Sequence, residues 1–333
     1  MKIVVFFVVL VAGRVAEALN LAGVGGRSRL MMMMSSEEGV DRRAVSSLDR
    51  RSALVSGVAS AAAVPLGLSM AAWALGTKKV LVAGATGQTG RRIVERLSKI
   101  DGVEVTGGAR DVEKAKKSLA ESSIAVRGAM VQQVDSVGPV ALKKLDVVQD
   151  SLETLTDTCK DFDCVVIALG FVPGNPLKMD AAAHAVDNVG TVKLVDAAEK
   201  AGVKKIVLVS SILTNGRAWA QESSPGFVVT NAFGHVLDEK IQAENHLRQT
   251  SLDYTIVRPG GLKAKPPTGG LKVSKEDTLN SGEVSRDLVA DVCIAALFDN
   301  KASRKVFEII EDDSLPPKAL ADSPSSPPKV AFL

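Results

Sequence analysis

The chain has 333 residues, of which 46% are hydrophobic and 24% charged, with a formal net charge of +3. That is long enough for one large globular domain or two small ones. Eight of the 41 basic and five of the 38 acidic residues fall within residues 1–76, so residues 77–333 are electrically balanced, which argues against a nucleic-acid-binding role.

The first 76 residues read as a targeting leader. Lys2, an apolar run over 3–13 and the small residues AEA at 16–18 have the form of a secretory signal peptide. The following stretch is rich in Ser, Met, Arg and Gly and resembles a transit peptide, although Glu37, Glu38 and Asp41 are more acidic than such a region usually is. Residues 53–76 carry no charge, follow the pair Arg50–Arg51 and end near AWA (72–74), the pattern of a twin-arginine export signal. Together these resemble the three-part leader of a thylakoid-lumen protein in a plastid bounded by extra membranes. The alternative is a retained membrane anchor, because 24 uncharged residues are enough to span a bilayer.

From residue 79 short β-branched runs alternate with amphipathic ones, which predicts βαβ units and a parallel sheet. Strands are expected at 79–84, 103–109, 145–149, 163–169, 204–211, 254–259 and 305–310, and helices at 88–99, 111–120, 151–160, 180–201, 236–250 and 284–298. Residues 121–144 read as an insertion, and the Pro/Ser-rich stretch 314–333 as a disordered tail. The expected fold is α/β: one Rossmann-type, doubly wound parallel sheet of about seven strands over residues 77–313. The three cysteines (Cys159, Cys164, Cys293) and three histidines (His184, His235, His246) form no CxxC and no ligand spacing, so neither a zinc site nor a disulfide framework is indicated.

Gly84, Gly87 and Gly90 stand between the first strand and the first helix, the setting in which glycine permits close approach of a pyrophosphate to backbone N–H groups and to the helix dipole. The second strand ends in Arg110, where a cation favours a 2′-phosphate and hence NADP(H) over NAD(H), with Arg91 as a possible second cation. Asp111 opposes that choice unless it caps the next helix.

GATGQTGRRIVERL, VTGGARDVEKA, DNVGTVKLVDAAEKAGVKKIVLVSS and LDYTIVRPGGL together resemble the atypical short-chain dehydrogenase/reductase family, in its NAD(P)H-binding, NmrA-like branch, close to the dehydrogenase-like plastid proteins of the Tic translocon. The resemblance spans about 78–312 and implies a Rossmann fold. It implies that Gly84, Thr86, Gly87, Gln88, Thr89 and Gly90 form the phosphate loop, and that Arg110 meets the adenine-ribose phosphate. Asp146, in preference to Asp150, falls beside the adenine, and Ala168, Leu169 and Gly170 run along the nicotinamide ribose.

The usual active site of such reductases is a Tyr-x-x-x-Lys pair with a serine, in which the phenol exchanges a proton with the substrate while hydride moves. Here the lysine is Lys240 and the serine falls at Ser210 or Ser211, with Ser211 preferred, but the tyrosine position is Val236. Tyr254, the only tyrosine, lies inside a strand, where the resemblance makes it a packing or cofactor-side residue, and His235 is a candidate acid or a plain helix-start histidine. The turn at 256–262, with Arg258, Gly260 and Gly261, is expected over the nicotinamide end, and 263–278 as a lid or a surface loop. Two functions follow: an NADPH-dependent oxidoreductase of a small carbonyl, quinone or tetrapyrrole-like substrate, or a non-catalytic NADP(H)-binding redox sensor that docks a partner. The expected partners are a small-molecule substrate or a protein, with association with a thylakoid or envelope membrane as a further expectation.

Overall fold

A computed structural model describes residues 77–121, 123–126, 130–133 and 137–333, so the signal peptide, transit-like region and segment 53–76 lie outside the described residues. β1 (Lys78–Ala83) leads through the glycine loop into α1 (Gln88–Leu97), then β2 (Val103–Ala109) and α2 (Val112–Ala120). A two-stranded hairpin, β3 (Ser123–Val126) with β4 (Met130–Gln133), precedes β5 (Ala141–Lys144), α3 (Leu152–Cys159) and β6 (Cys164–Ile167). A continuous helical stretch follows: α4 (Met179–Ala183), a π-helical turn (His184–Gly190) and α5 (Thr191–Lys200). The chain continues with β7 (Lys205–Val209), α6 (Pro225–Asn231), α7 (Val236–Gln249) and β8 (Asp253–Pro259). It closes with β9 (Gly261–Lys263), β10 (Gly270–Lys275), β11 (Glu283–Ser285), α8 (Arg286–Phe298) and β12 (Lys305–Asp312).

The main sheet has eight strands in the order β10-β12-β8-β7-β6-β1-β2-β5, and only the edge strand β10 runs antiparallel to its neighbour. The expected doubly wound sheet is therefore present, with seven parallel strands. Its central strands β1, β6 and β7 are largely apolar because both faces are covered there, whereas the edge strands β5 and β10 carry exposed lysines. Val80, Val82, Val166 and Val207 point to a layer formed by α1 and α8, while Leu81, Ala83, Val165 and Ile206 point to one formed by α3, α5 and α7. Parallel pairing in register, such as Val82 opposite Gly107 and Val166, brings the ends of β1, β2 and β6 to one edge.

Four expectations are corrected. The strand expected at 145–149 is instead a turn that follows β5, because Asp146 Oδ1 accepts from the Val148 and Gln149 N–H groups at 3.0 and 3.2 Å. Local carboxylate-to-backbone bonds there outcompete β propensity. The insertion at 121–144 holds β3, β4 and β5. Segment 263–278, expected as a lid or a surface loop, contributes β10 to the sheet edge, and Glu311 fastens its start by accepting from Lys263 Nζ (2.7 Å) and the Thr268 N–H (3.0 Å).

The tail 314–333 is laid against the domain and does not extend away from it as a disordered segment. Val330 and Phe332 are buried in the α1/α8 layer, and the Phe332 ring lies 4.9 Å from that of Phe307. These two apolar groups outweigh the low apolar content around them.

Candidate functional site

In this sheet order β1 continues to β2 on one side, while the chain crosses to β6 on the other, and a crevice opens where the two directions part. The crevice holds about 420 Å³. Gly84, Thr86 and Gly87 form its floor. Gly108, Ala109 and Arg110 with the 145–148 turn form one wall, and Ala168–Val172 with Ala182 and Val186 the other.

The glycines of the loop serve different ends. Gly84 has φ +84°, and a Cβ there would stand 2.6 Å from the Ala168 carbonyl oxygen; one at Gly90 would stand 2.1 Å from the Gly84 carbonyl oxygen. These two let strand, loop and helix pack. Gly87 has an ordinary φ of −70°, and a Cβ there would meet only the Gly84 carbonyl oxygen, at 3.2 Å. Its missing side chain therefore leaves space on the open side of the loop. Helix α1 begins at that point with no side-chain cap and no acidic residue in its first turn, so its N–H groups and positive dipole end are available to an anion. A dinucleotide pyrophosphate fits this cradle.

Arg110 is exposed on the wall next to the loop, and among the described residues its side chain makes no hydrogen bond. Asp111 is spent as the cap of α2, accepting from the Lys114 N–H at 2.9 Å. Of the two aspartates considered, Asp146 lines the crevice while Asp150 is buried behind it. Burial alone would raise the Asp150 carboxyl, but the Asp146 N–H and the Lys144 ammonium outweigh burial and hold it below the usual range. Gln88, Thr89 and Gly90 form the first turn of α1 behind the loop.

Arg91 does not reach the crevice. Its guanidinium is buried and donates to the Ser118 (2.6 Å) and Leu119 (3.1 Å) carbonyl oxygens, and also to that of Glu121, tying α1 to the end of α2. Arg258 is likewise a structural residue. It is wholly buried on β8, pairing with Glu244 and Asp277 at 2.7 Å each and with Glu308 at 3.5 Å. Burial opposes its charge, yet the Glu244 and Asp277 carboxylates hold its pKa above the usual arginine value. Gly260 is small because a Cβ would strike the Gly282 carbonyl oxygen at 2.5 Å, so it serves packing between two loops.

Just beyond β7 the two serines separate. The Ser210 hydroxyl is buried and donates to Glu244 Oε1 at 2.5 Å, whereas Ser211 is half-buried and its hydroxyl has no partner among the described residues. Glu244 lies one helical turn beyond Lys240 on α7, so the serine pair and the lysine occupy the same end of the sheet. Val236 packs against the apolar cluster of Ile212, Leu213, Phe227 and Leu237. Tyr254 is buried in the core with Arg304 over its ring at 5.0 Å, and His235 is exposed beside Asp180. All three cysteines are buried, and burial pushes the Cys159 thiol up to about 12, so no reactive thiolate is formed at neutral pH.

One residue at this end went unread in the sequence. Asp187 has a completely buried side chain, pairs with Lys240 Nζ at 2.7 Å and accepts the Phe171 N–H at 3.0 Å. The signal was a carboxylate four residues from both Ala183 and Thr191, in a stripe that is otherwise buried.

Residues 84–300 match the family model described as NAD(P)H-binding. An uncharacterized chloroplastic protein of Arabidopsis thaliana is 46% identical over 254 residues, 75% of this chain and 82% of that protein. The chloroplastic protein TIC 62 of the same plant is 31% identical over 263 residues, 75% of this chain but 39% of that protein, so the chain spans about two-fifths of this relative. Among solved structures, an oxidoreductase of Lactococcus lactis superposes with a TM-score of 0.55 at 26% identity, over 70% of this chain and 91% of that one. The chain belongs to the NAD(P)H-binding family, on the atypical short-chain dehydrogenase/reductase fold that its motifs resemble.

Proposed function

We propose that this protein is an NADP(H)-dependent oxidoreductase of a plastid, acting on a small carbonyl, quinone or tetrapyrrole-like substrate. The observation that carries this reading is the crevice itself: an uncapped helix start behind Gly87, with Arg110 free beside it and Asp111 turned away as a cap. NADPH, when bound there, supplies hydride. The chain's own part is to hold it: the Thr86–Gly90 backbone the pyrophosphate, Arg110 the 2′-phosphate, Asp146 the adenine. Ala168, Leu169 and Gly170 would line the nicotinamide ribose, while Lys240 would bond its hydroxyls and Ser211 would face the reacting group. With Val236 where a tyrosine would act, the proton comes from water or from the substrate. The chloroplastic names of the relatives support a plastid location, and the leader pattern supports the thylakoid lumen, with anchoring through 53–76 as the other outcome.

Val236 also favours a second reading, a non-catalytic NADP(H)-binding module that senses redox state or docks a partner. Fluorescence titration with NADPH, followed by assay of its oxidation with quinone, carbonyl and bilin-type acceptors, separates the two: turnover supports the enzyme, and binding without turnover across the panel supports the sensor. Replacing Arg110 with Ala is expected to weaken NADPH at least about tenfold while leaving NADH nearly unchanged, since a charged hydrogen bond to phosphate is worth about 1.5–3 kcal/mol. Equal weakening of the two nucleotides would remove the NADP(H) assignment.

A further inference from the structure

Asp187 links two parts of the site that are distant in sequence. Its Oδ1 lies 2.7 Å from the Lys240 ammonium on α7, and its Oδ2 accepts the backbone N–H of Phe171 at 3.0 Å. A Cβ built on Gly170 would come within 3.8 Å of Oδ1, so the carboxylate sits directly behind backbone that lines the crevice. A fully buried carboxylate is costly unless its charge is met. Here it is met from two directions, by a cation and by the crevice wall.

The π-helical turn delivers the carboxylate to this place. It inserts between α4 and α5, and the Thr191 hydroxyl donates to the Val186 carbonyl five residues earlier, at 2.9 Å. Single π-turns inside α-helices cost regular hydrogen bonding and are frequent at functional sites. The same turn grips α7 a second time, because Glu239 accepts from Asn188 Nδ2 at 2.8 Å and lies 3.0 Å from His184 Nδ1. The residue before Lys240 and the ammonium of Lys240 are thus both anchored to one turn.

We infer that Asp187 is a positioning residue for the nicotinamide half of the dinucleotide, holding the Lys240 ammonium and the Gly170–Phe171 backbone in one register. This rests on the reading of the crevice as a dinucleotide site. With no tyrosine at position 236 to share the lysine, the carboxylate fixes where the ammonium points. A cross-link serving only the fold would affect every ligand of the crevice alike, whereas a positioning role is felt only by the half of the cofactor that reaches Lys240.

The test is a comparison of two ligands on the full chain: NADPH, and 2′,5′-ADP, which has the adenine half and its phosphates but no nicotinamide. Asp187→Asn is expected to weaken NADPH about tenfold, or about 1.4 kcal/mol, and 2′,5′-ADP less than about twofold. Lys240→Met is expected to give the same selective loss, and the double variant no more than either single one, because the two side chains act as a unit. A loss shared equally by both ligands, no loss for NADPH, or additive losses in the double variant would overturn the inference. Should the neutral variants fail to fold by circular dichroism, Asp187→Glu and Lys240→Arg keep both charges but displace them. For these an NADPH to 2′,5′-ADP affinity ratio reduced about threefold supports the inference, and an unchanged ratio overturns it. A parent chain that binds neither ligand would remove the cofactor reading itself, an outcome distinct from failure of the Asp187 role.

Discussion

A Cβ at Gly90 would stand 2.1 Å from the Gly84 carbonyl oxygen, while one at Gly87 would stand 3.2 Å from the same atom. The first distance demands backbone movement; the second asks for a shift of a few tenths of an ångström. Gly90→Ala is therefore expected to cost about 1–3 kcal/mol of stability, whereas Gly87→Ala should stay within about 1 kcal/mol of the parent and still lose NADPH affinity. Thermal melts with parallel fluorescence titrations check this, and a Gly87→Ala chain that binds normally would show that the open side of the loop does not face the ligand. The motif was legible in the sequence as three spaced glycines. Which of them answers to the protein and which to a ligand depends on the carbonyl oxygens nearby. The same holds for arginines: Arg91 and Arg110 each lie within two residues of a glycine, but the bonds of Arg91 to the end of α2 direct it away from the crevice.

At the scale of elements, most strands and helices of the body were readable from their periodicity, because apolar runs of β-branched residues alternate with amphipathic ones. The failures have local physical causes. Val147 and Val148 look like strand residues, but Asp146 and Asp150 fold that stretch into a turn, and Val147 packs where a Cβ on Gly190 would lie 2.7 Å from its Cγ2. The π-turn was hidden because a shift in hydrogen bonding leaves the 3.6-residue pattern of the flanking helices intact. The tail was misread because composition averages over its length, while two residues decide its fate. Phe332→Ala removes a buried ring that packs on Phe307 and is expected to cost about 3 kcal/mol, with the tail becoming protease-sensitive before the body does. Limited proteolysis with mass analysis measures this, and equal resistance of parent and variant would mean that the tail is held by other contacts.

For the whole molecule, α1 and α8 are clamped by charge as well as by apolar packing. Arg96 pairs with Asp287 at 2.6 Å and with Asp291 at 3.0 Å. Asp291 is pushed up to about 6, chiefly by burial, with Arg96 opposing and Asp287 and Glu95 adding to the rise. A folded-state pKa above the unfolded value means that the native state binds the proton more tightly, so this group's contribution to stability is greatest below about pH 4 and is lost as pH rises through about 6. At most about 3 kcal/mol is involved. Asp291→Asn imitates the protonated form, so the variant should melt higher than the parent at pH 7, with the gap closing near pH 4.5. A gap that does not change with pH would show that Asp291 does not titrate in this range. Asp150 and Glu311 act in the opposite sense. Their lowered values contribute stability above the unfolded carboxylate range, and that contribution is lost as pH falls through their folded values.

The sequence by itself determined the layer architecture, the place of the glycine loop and the valine at position 236, because each is written in contiguous residues: periodicity, spaced glycines, one valine four positions before a lysine. Only the tertiary structure decided that Arg91 and Arg258 serve the fold, that 314–333 is docked, that 270–275 is an edge strand and that Asp187 stands behind Lys240. Those outcomes depend on partners 14 to 53 positions away, such as Glu244 for Arg258 and Lys240 for Asp187. A charge or a ring acquires its role from what the chain brings to it, and no local pattern carries that information.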